Sequence, residues 1–218
     1  MFHYLLLLRP GGPGRLARDR AATELPPLGA RRKYALVETE KLVKKGCRVA
    51  IEVFCCRGES KMKLVPDTFE VPEKLEHPKF LIRKLCARDV YLDYMAVMSS
   101  IDIIKKTLGG DWPTSDLTFE DDLIDLAWHQ REFEHKSSFA YTVMNNDETE
   151  CLGCLYFFPA GTRGEAPKDA EVDVSFWVTQ KGYNEGLYPI LYTAIDEWLK
   201  STWPFKDIHY TNRELPGK

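Results

Sequence analysis

No run of apolar residues in this chain is long enough to cross a membrane. Near the N-terminus the longest, Tyr4–Leu8, stops far short of the roughly 20 residues a spanning helix needs. Arg-Pro-Gly-Gly-Pro-Gly follows it in place of a small-residue cleavage site, so no secretory signal is expected. An excess of one charge is also lacking. Lys and Arg total 30 against 33 Asp and Glu, a formal net charge of −3, which gives no general attraction to nucleic acid. Residues 1–33 are the local exception, with six arginines and one lysine against two acids. Three fingerprints are missing as well. There is no G-x-S-x-G nucleophile elbow, no P-loop, and no G-x-G-x-x-G turn, since Gly182 and Gly186 do not complete one.

Six cysteines are present, but their spacing argues against a metal or disulfide framework. Cys151-Leu-Gly-Cys154 is the one C-x-x-C pair. Thr149–Phe158 around it reads as a strand, on which a separation of three puts side chains on opposite faces. No second pair completes a zinc set. Cys55 and Cys56 are adjacent and Cys47 and Cys86 isolated, so all six are read as reduced, buried thiols and no metal is expected. Glycines and prolines interrupt any presequence-like helix in the Arg-rich start, and a cytoplasmic location is the expectation.

With 218 residues, 44% of them hydrophobic, the chain has material for one domain with a sizeable core and an arm. Residues 1–61 read as a Gly/Pro/Arg-rich arm and a poorly patterned extension, with a short helix at 34–45 and a strand at 48–56. Residues 62–218 read as the domain. After the proline-punctuated stretch 62–72, Phe80–Leu85 is the first strand and 87–99 the first helix, with Asp89 in its first turn. A second helix over 118–134 is announced by Thr118 as cap and by Glu120, Asp121 and Asp122 in the first turn. Strands at 138–144 and 150–158 follow, joined by Asn145-Asn-Asp-Glu, which has the composition of a hairpin turn.

The most informative stretch is 171–198. Val172, Val174, Phe176 and Val178 alternate with Glu171, Asp173, Ser175 and Trp177, as on a buried strand. Gln180, Gly182, Asn184 and Gly186 break the pattern. Leu187, Ile190, Leu191, Ala194, Ile195 and Trp198 then recur at helical spacing, so a helix N-terminus with unpaired N–H groups follows directly on a strand, an arrangement that attracts anions. A last strand is expected at 207–211. The order is β-α-α-β-β-β-α-β, an α/β (α+β) fold with a mixed central sheet flanked by helices.

That order, with its strand-turn-helix, resembles the GNAT superfamily of acyl-CoA-dependent N-acyltransferases over roughly residues 62–218. Phe80-Leu-Ile-Arg-Lys-Leu with Ala87-Arg-Asp-Val is similar to the family's opening strand and helix, and the segment around Gly153 to its x-x-G-x-x strand. The resemblance implies acetyl-CoA as co-substrate and an amine as acceptor. It assigns the pantetheine arm to the backbone of Phe176, Trp177 and Val178, and the pyrophosphate to the turn at Gly186, Leu187 and Tyr188. Asn212 matches an asparagine common at the end of the fifth strand. Tyr188 stands where the family has a second glycine or alanine, so its ring is expected to crowd the phosphates. The family continues past its fifth strand with a helix and two more strands. The chain therefore reads as truncated, with an open sheet edge for a homodimer to cover.

An amine must lose a proton before it attacks a thioester, so a carboxylate base is required, and Glu171 and Asp173 are the candidates. A strand-end N–H near Val178 would polarise the carbonyl. His129 and His135 read as a solvated helix end. Tyr141, Tyr156, Phe157, Trp177 and Tyr210 read as core, with an apolar acceptor pocket as the alternative. Two functions remain: an N-acetyltransferase, or a non-catalytic relative that binds acyl-CoA or another protein. No nucleic acid or membrane partner is expected.

Overall fold

The computed structural model describes residues 63–162 and 164–217. The arm, the helix expected at 34–45 and the strand expected at 48–56 lie outside the described residues. In chain order the elements are β1 (Lys74–His77), β2 (Phe80–Lys84), α1 (Val90–Met98), α2 (Ile101–Leu108), α3 (Phe119–Glu134), β3 (Phe139–Met144) and β4 (Cys151–Pro159). β5 (Val172–Val178), α4 (Gln180–Asn184), α5 (Leu187–Thr202) and β6 (Ile208–Tyr210) follow, and a short 3-10 turn, Ala87–Asp89, leads into α1. Among these residues no helix is long and apolar enough to cross a membrane.

Alternation along β5 sets the architecture. Val172, Val174, Phe176 and Val178 share a core with Leu187, Leu191, Ile195 and Trp198 of α5. Trp177 enters a second core with Val97 of α1, Ile103 and Ile104 of α2 and Leu126 of α3. Helices thus cover both faces of the sheet, and β5 is buried at every position. Each of the buried Val and Phe side chains contributes roughly 1.5–3 kcal/mol. The strands lie in sequence order, antiparallel except for β5 and β6. Parallel neighbours need a crossover, which α4 and α5 supply. The mixed sheet is therefore as expected, with three added elements: β1, which forms a hairpin with β2, and the helices α2 and α4.

Local chemistry explains the element ends. Thr118 caps α3: Asp121 N–H donates to its hydroxyl at 3.2 Å, and Thr118 N–H donates to the Asp121 carboxylate at 3.3 Å. The 145–148 turn closes because Asn145 Oδ1 accepts from the N–H groups of Thr149 and Glu150. Asp89 does more than face a helix dipole, since Arg83 grips it at 2.7 and 2.9 Å and burial protects the pair.

Two expectations are overturned. Val143 pairs with Gly153 and Met144 with Cys151, so Leu152 is an extra residue, a β-bulge in β4. One step of alternation is cancelled there, and Cys151 and Cys154 both turn to the α1–α3 face, where both are buried. Gly153 is required at this point because a Cβ would overlap the Trp177 carbonyl oxygen. His129, expected at a solvated helix end, is 7% exposed and packs its ring against Tyr156.

Candidate functional site

The expected loop after β5 is itself partly helical. Thr179 ends the strand, its N–H donating to Leu152 C=O and its hydroxyl accepting from Gly182 N–H, which caps the short α4. Gly186 then takes φ +79°, the left-handed conformation that lets the chain reverse into α5. Leu187 and Tyr188, the first residues of α5, are buried.

β5 and β6 part early. They pair only from Val172↔Ile208 to Val174↔Tyr210, followed by one bond from Thr211 N–H to Val174 C=O. Beyond it, the Asn212 side chain takes the place of a strand. Its Oδ1 accepts from Phe176 N–H at 3.1 Å, and its Nδ2 donates to Phe176 C=O at 2.7 Å and to Tyr188 hydroxyl at 2.8 Å. Alternation points the Val178 backbone to the same side as that of Phe176. The chain after β6 crosses the opening. Tyr188 hydroxyl donates to Glu214 C=O, Glu214 N–H to Thr107 C=O, and Tyr183 hydroxyl to the Glu214 carboxylate. Lys106 lies 3.3 Å from that carboxylate, and these donors hold Glu214 below the usual carboxylate range, the Tyr183 hydrogen bond foremost. A cavity of about 540 Å³ is lined by Lys106, Asn212, Arg213, Glu214 and Leu215.

These contacts correct the expectation for Tyr188. Its ring does not project into the turn; it stacks on Phe176 at 4.7 Å inside the core, and burial raises its hydroxyl above the usual phenol range. Trp177 is fully buried, its Nε1 donating to Tyr156 hydroxyl. Phe176, Trp177, Leu187 and Tyr188 have committed their side chains to packing, so what they offer a ligand is backbone.

The two carboxylates part company. Glu171 is exposed and accepts from Lys206 N–H at 2.6 Å, fastening the segment that enters β6. Asp173 is 1% exposed and lies 2.9 Å from His209 Nδ1, its register partner on β6. A carboxylate holding one imidazole nitrogen leaves the other, Nε2, to accept a proton, and the His209 side chain is 27% exposed. Sequence reasoning missed His209 because only the parallel register brings it to Asp173. Among the described residues the five aromatics expected as core follow that expectation, except that Tyr210 is half-buried.

No family model and no curated protein sequence matches the chain. Solved structures with a similar chain path include a Vibrio cholerae protein provisionally described as a ribosomal-protein-serine acetyltransferase. It is 6% identical, the match covers 63% of this chain and 72% of that one, and the TM-score is 0.48. The ribosomal-protein-S5-alanine acetyltransferase of Vibrio fischeri is 15% identical over 61% and 69% of the chains, with a TM-score of 0.45. The microcin C7 self-immunity acetyltransferase, solved with acetyl-CoA and AMP, is 12% identical over 60% and 69%, with a TM-score of 0.45.

Proposed function

We propose that this chain is an N-acetyltransferase of the GNAT type, moving the acetyl group of acetyl-CoA to a primary amine of a small molecule or peptide. One observation carries the reading: β5 and β6 part after Val174 and Tyr210, directly ahead of a turn and a helix N-terminus. The strand edge at Val178 receives the pantetheine arm, since Asn212 already holds the N–H and C=O of Phe176. Backbone N–H groups of Leu187 and Tyr188, after Gly186, take the pyrophosphate. Arg213 adds positive charge beside the opening, where Lys106 is paired with Glu214.

An amine arrives as an ammonium and must lose a proton before its lone pair attacks the thioester carbon. His209 Nε2 takes that proton while Asp173 holds Nδ1 and steadies the imidazolium. The C–N bond forms, the C–S bond breaks, and the second proton lost by the nitrogen goes to the departing thiolate, leaving the amide and the free thiol. Val178, five residues and roughly 16 Å along β5 from Asp173, is too far from His209 to polarise the same carbonyl, so the expected oxyanion role passes from it and its edge is left to the pantetheine arm. Glu171 is left a structural role. In this reading the protein is cytoplasmic, with no nucleic acid or membrane partner, and a second copy covers the outer edge of β6.

The test combines two readouts. Acetyl-CoA at a hundred times its dissociation constant stabilises the folded state by about 2.7 kcal/mol, visible as a shift in melting temperature. Release of free thiol with a panel of primary amines reports transfer, and His209→Ala lowers kcat by roughly 10²–10⁴-fold while the melting shift remains. No shift at millimolar acetyl-CoA sinks the proposal. A second reading, a non-catalytic acyl-CoA-binding or protein-interaction module, is favoured by the segment 212–215 lying across the opening. It is selected if acetyl-CoA shifts the melt and no amine yields thiol.

A further inference from the structure

On the face of the sheet away from α5, three metal-binding side chains meet out of reach of solvent. Asp93 of α1 is 4% exposed, Cys151 of β4 is 3% and Cys154 is 0%. Their ligand atoms all lie within 4.8 Å of one another. Cys154 Sγ is 3.1 Å and Cys151 Sγ 3.8 Å from the same oxygen, Asp93 Oδ1. In a tetrahedral zinc site with Zn–S near 2.3 Å and Zn–O near 2.0 Å, the sulfur-to-oxygen edge is about 3.5 Å, which falls between these two distances. The β4 bulge makes the meeting possible, because a regular strand would separate the thiols.

His129, 3.5 Å from Asp125 and 3.9 Å from Glu132, is the one basic side chain beside the cluster among the described residues. Among the described residues neither Asp93 nor Asp122, a buried carboxylate of α3, has a lysine or arginine partner. The groups acting on Asp93 are Asp125, His129 and the two thiols, and those acting on Asp122 are Asp93 and Asp125. Asp122 Oδ2, on a residue 2% exposed, has no hydrogen-bond partner, and His129 Nδ1 has none closer than the Glu132 carboxylate at 3.9 Å. Buried carboxylates without a cation are costly, and orphaned polar atoms at nine-tenths burial are rare.

We propose that Asp93, Cys151 and Cys154 bind one zinc ion; among the described residues these three alone bring ligand atoms within 4.8 Å of one another, so the fourth position falls to a water molecule or to a side chain of α3 that moves in. On binding, each cysteine loses its proton to solvent, two Zn–S bonds and one Zn–O bond form, and nothing is oxidised or reduced. The ion then ties α1 to β4 at the centre of the second core. Enclosure this complete means that the metal enters as the chain folds and leaves as it unfolds. The site is independent of the acyltransferase reading.

The full chain, purified without chelator, is expected to carry about one zinc per molecule by mass spectrometry of the metal. Cys154→Ser loses it. A variant with Cys47→Ser, Cys55→Ser and Cys56→Ser keeps it, which separates the site from the three cysteines outside the described residues. Because Cys154→Ser alters a core residue, wild-type protein is also refolded with cobalt(II), where a thiolate-to-cobalt charge-transfer band with intense tetrahedral visible bands is expected. The proposal is overturned by protein that holds only trace metal and gives no such band. It is equally overturned by a Cys151–Cys154 disulfide in freshly purified protein, or by metal that survives Cys154→Ser and disappears in the triple variant.

Discussion

Asn212 makes three hydrogen bonds at the point where β5 and β6 part, and each matters because its partner is buried. Asn212→Ala leaves the N–H and C=O of Phe176 unpaired, at roughly 1–3 kcal/mol for each group water does not reach. Urea unfolding is expected to show a loss of that order. Tyr188 carries the opposite lesson to the one its position in the sequence suggests. A ring read as an obstacle to phosphates is a core ring between Phe176 and Tyr183. Tyr188→Gly is therefore expected to destabilise the fold by about 3–5 kcal/mol, the range for deleting a buried aromatic. Tighter acetyl-CoA binding without loss of stability would contradict this placement. The backbone of the candidate site was legible in the sequence, since a strand, a glycine turn and a helix are local patterns. The His209–Asp173 pair was not, because two residues 36 apart meet only through a parallel register that no local pattern specifies.

At the scale of elements, the clearest test is the N-terminus of α3. Thr118 and Asp121 satisfy each other's N–H groups there, and Thr118→Ala is expected to cost about 1 kcal/mol with an unchanged urea slope. The same signals made α3 readable in advance: a cap, three acids in the first turn and an apolar stripe. The elements that escaped were those without such signals. β1 is four residues, KLEH, with no apolar face of its own, and α4 is five residues with a glycine inside. Neither would persist alone, and each exists because a neighbour completes it: β2 pairs with β1, and Thr179 caps α4. The β4 bulge escaped for the same reason. One unpaired residue, Leu152, changes the face of everything before it, and only the partner strand β3 reveals which residue is extra.

For the molecule as a whole, the buried acids of the second core give stability a pH dependence opposite in sign to ordinary acid unfolding. Burial pushes Asp93 up to about 6 and Asp122 up to about 8, with like charges nearby adding to the effect. A carboxyl whose pKa rises on folding holds its proton more tightly in the native state. Between the ordinary value near 3.8 and the raised one, the folded protein binds more protons than the unfolded chain, so stability falls as pH rises. That contribution is whole below about pH 4 and gone above about pH 8. Metal-free protein, unfolded and refolded in chelator, is expected to melt progressively lower from pH 5 to pH 8. Asp122→Asn, neutral throughout, should flatten most of the decline, and a wild-type slope that is zero or rising would contradict the assignment. Zinc gives the complementary test. A bound cation favours the ionised carboxylate and the two thiolates, so its affinity rises with pH while the stability of the metal-free fold falls. The difference in melting temperature between zinc-loaded and chelated protein is therefore expected to widen from pH 5 to pH 8, and a constant difference would mean that any zinc bound sits elsewhere.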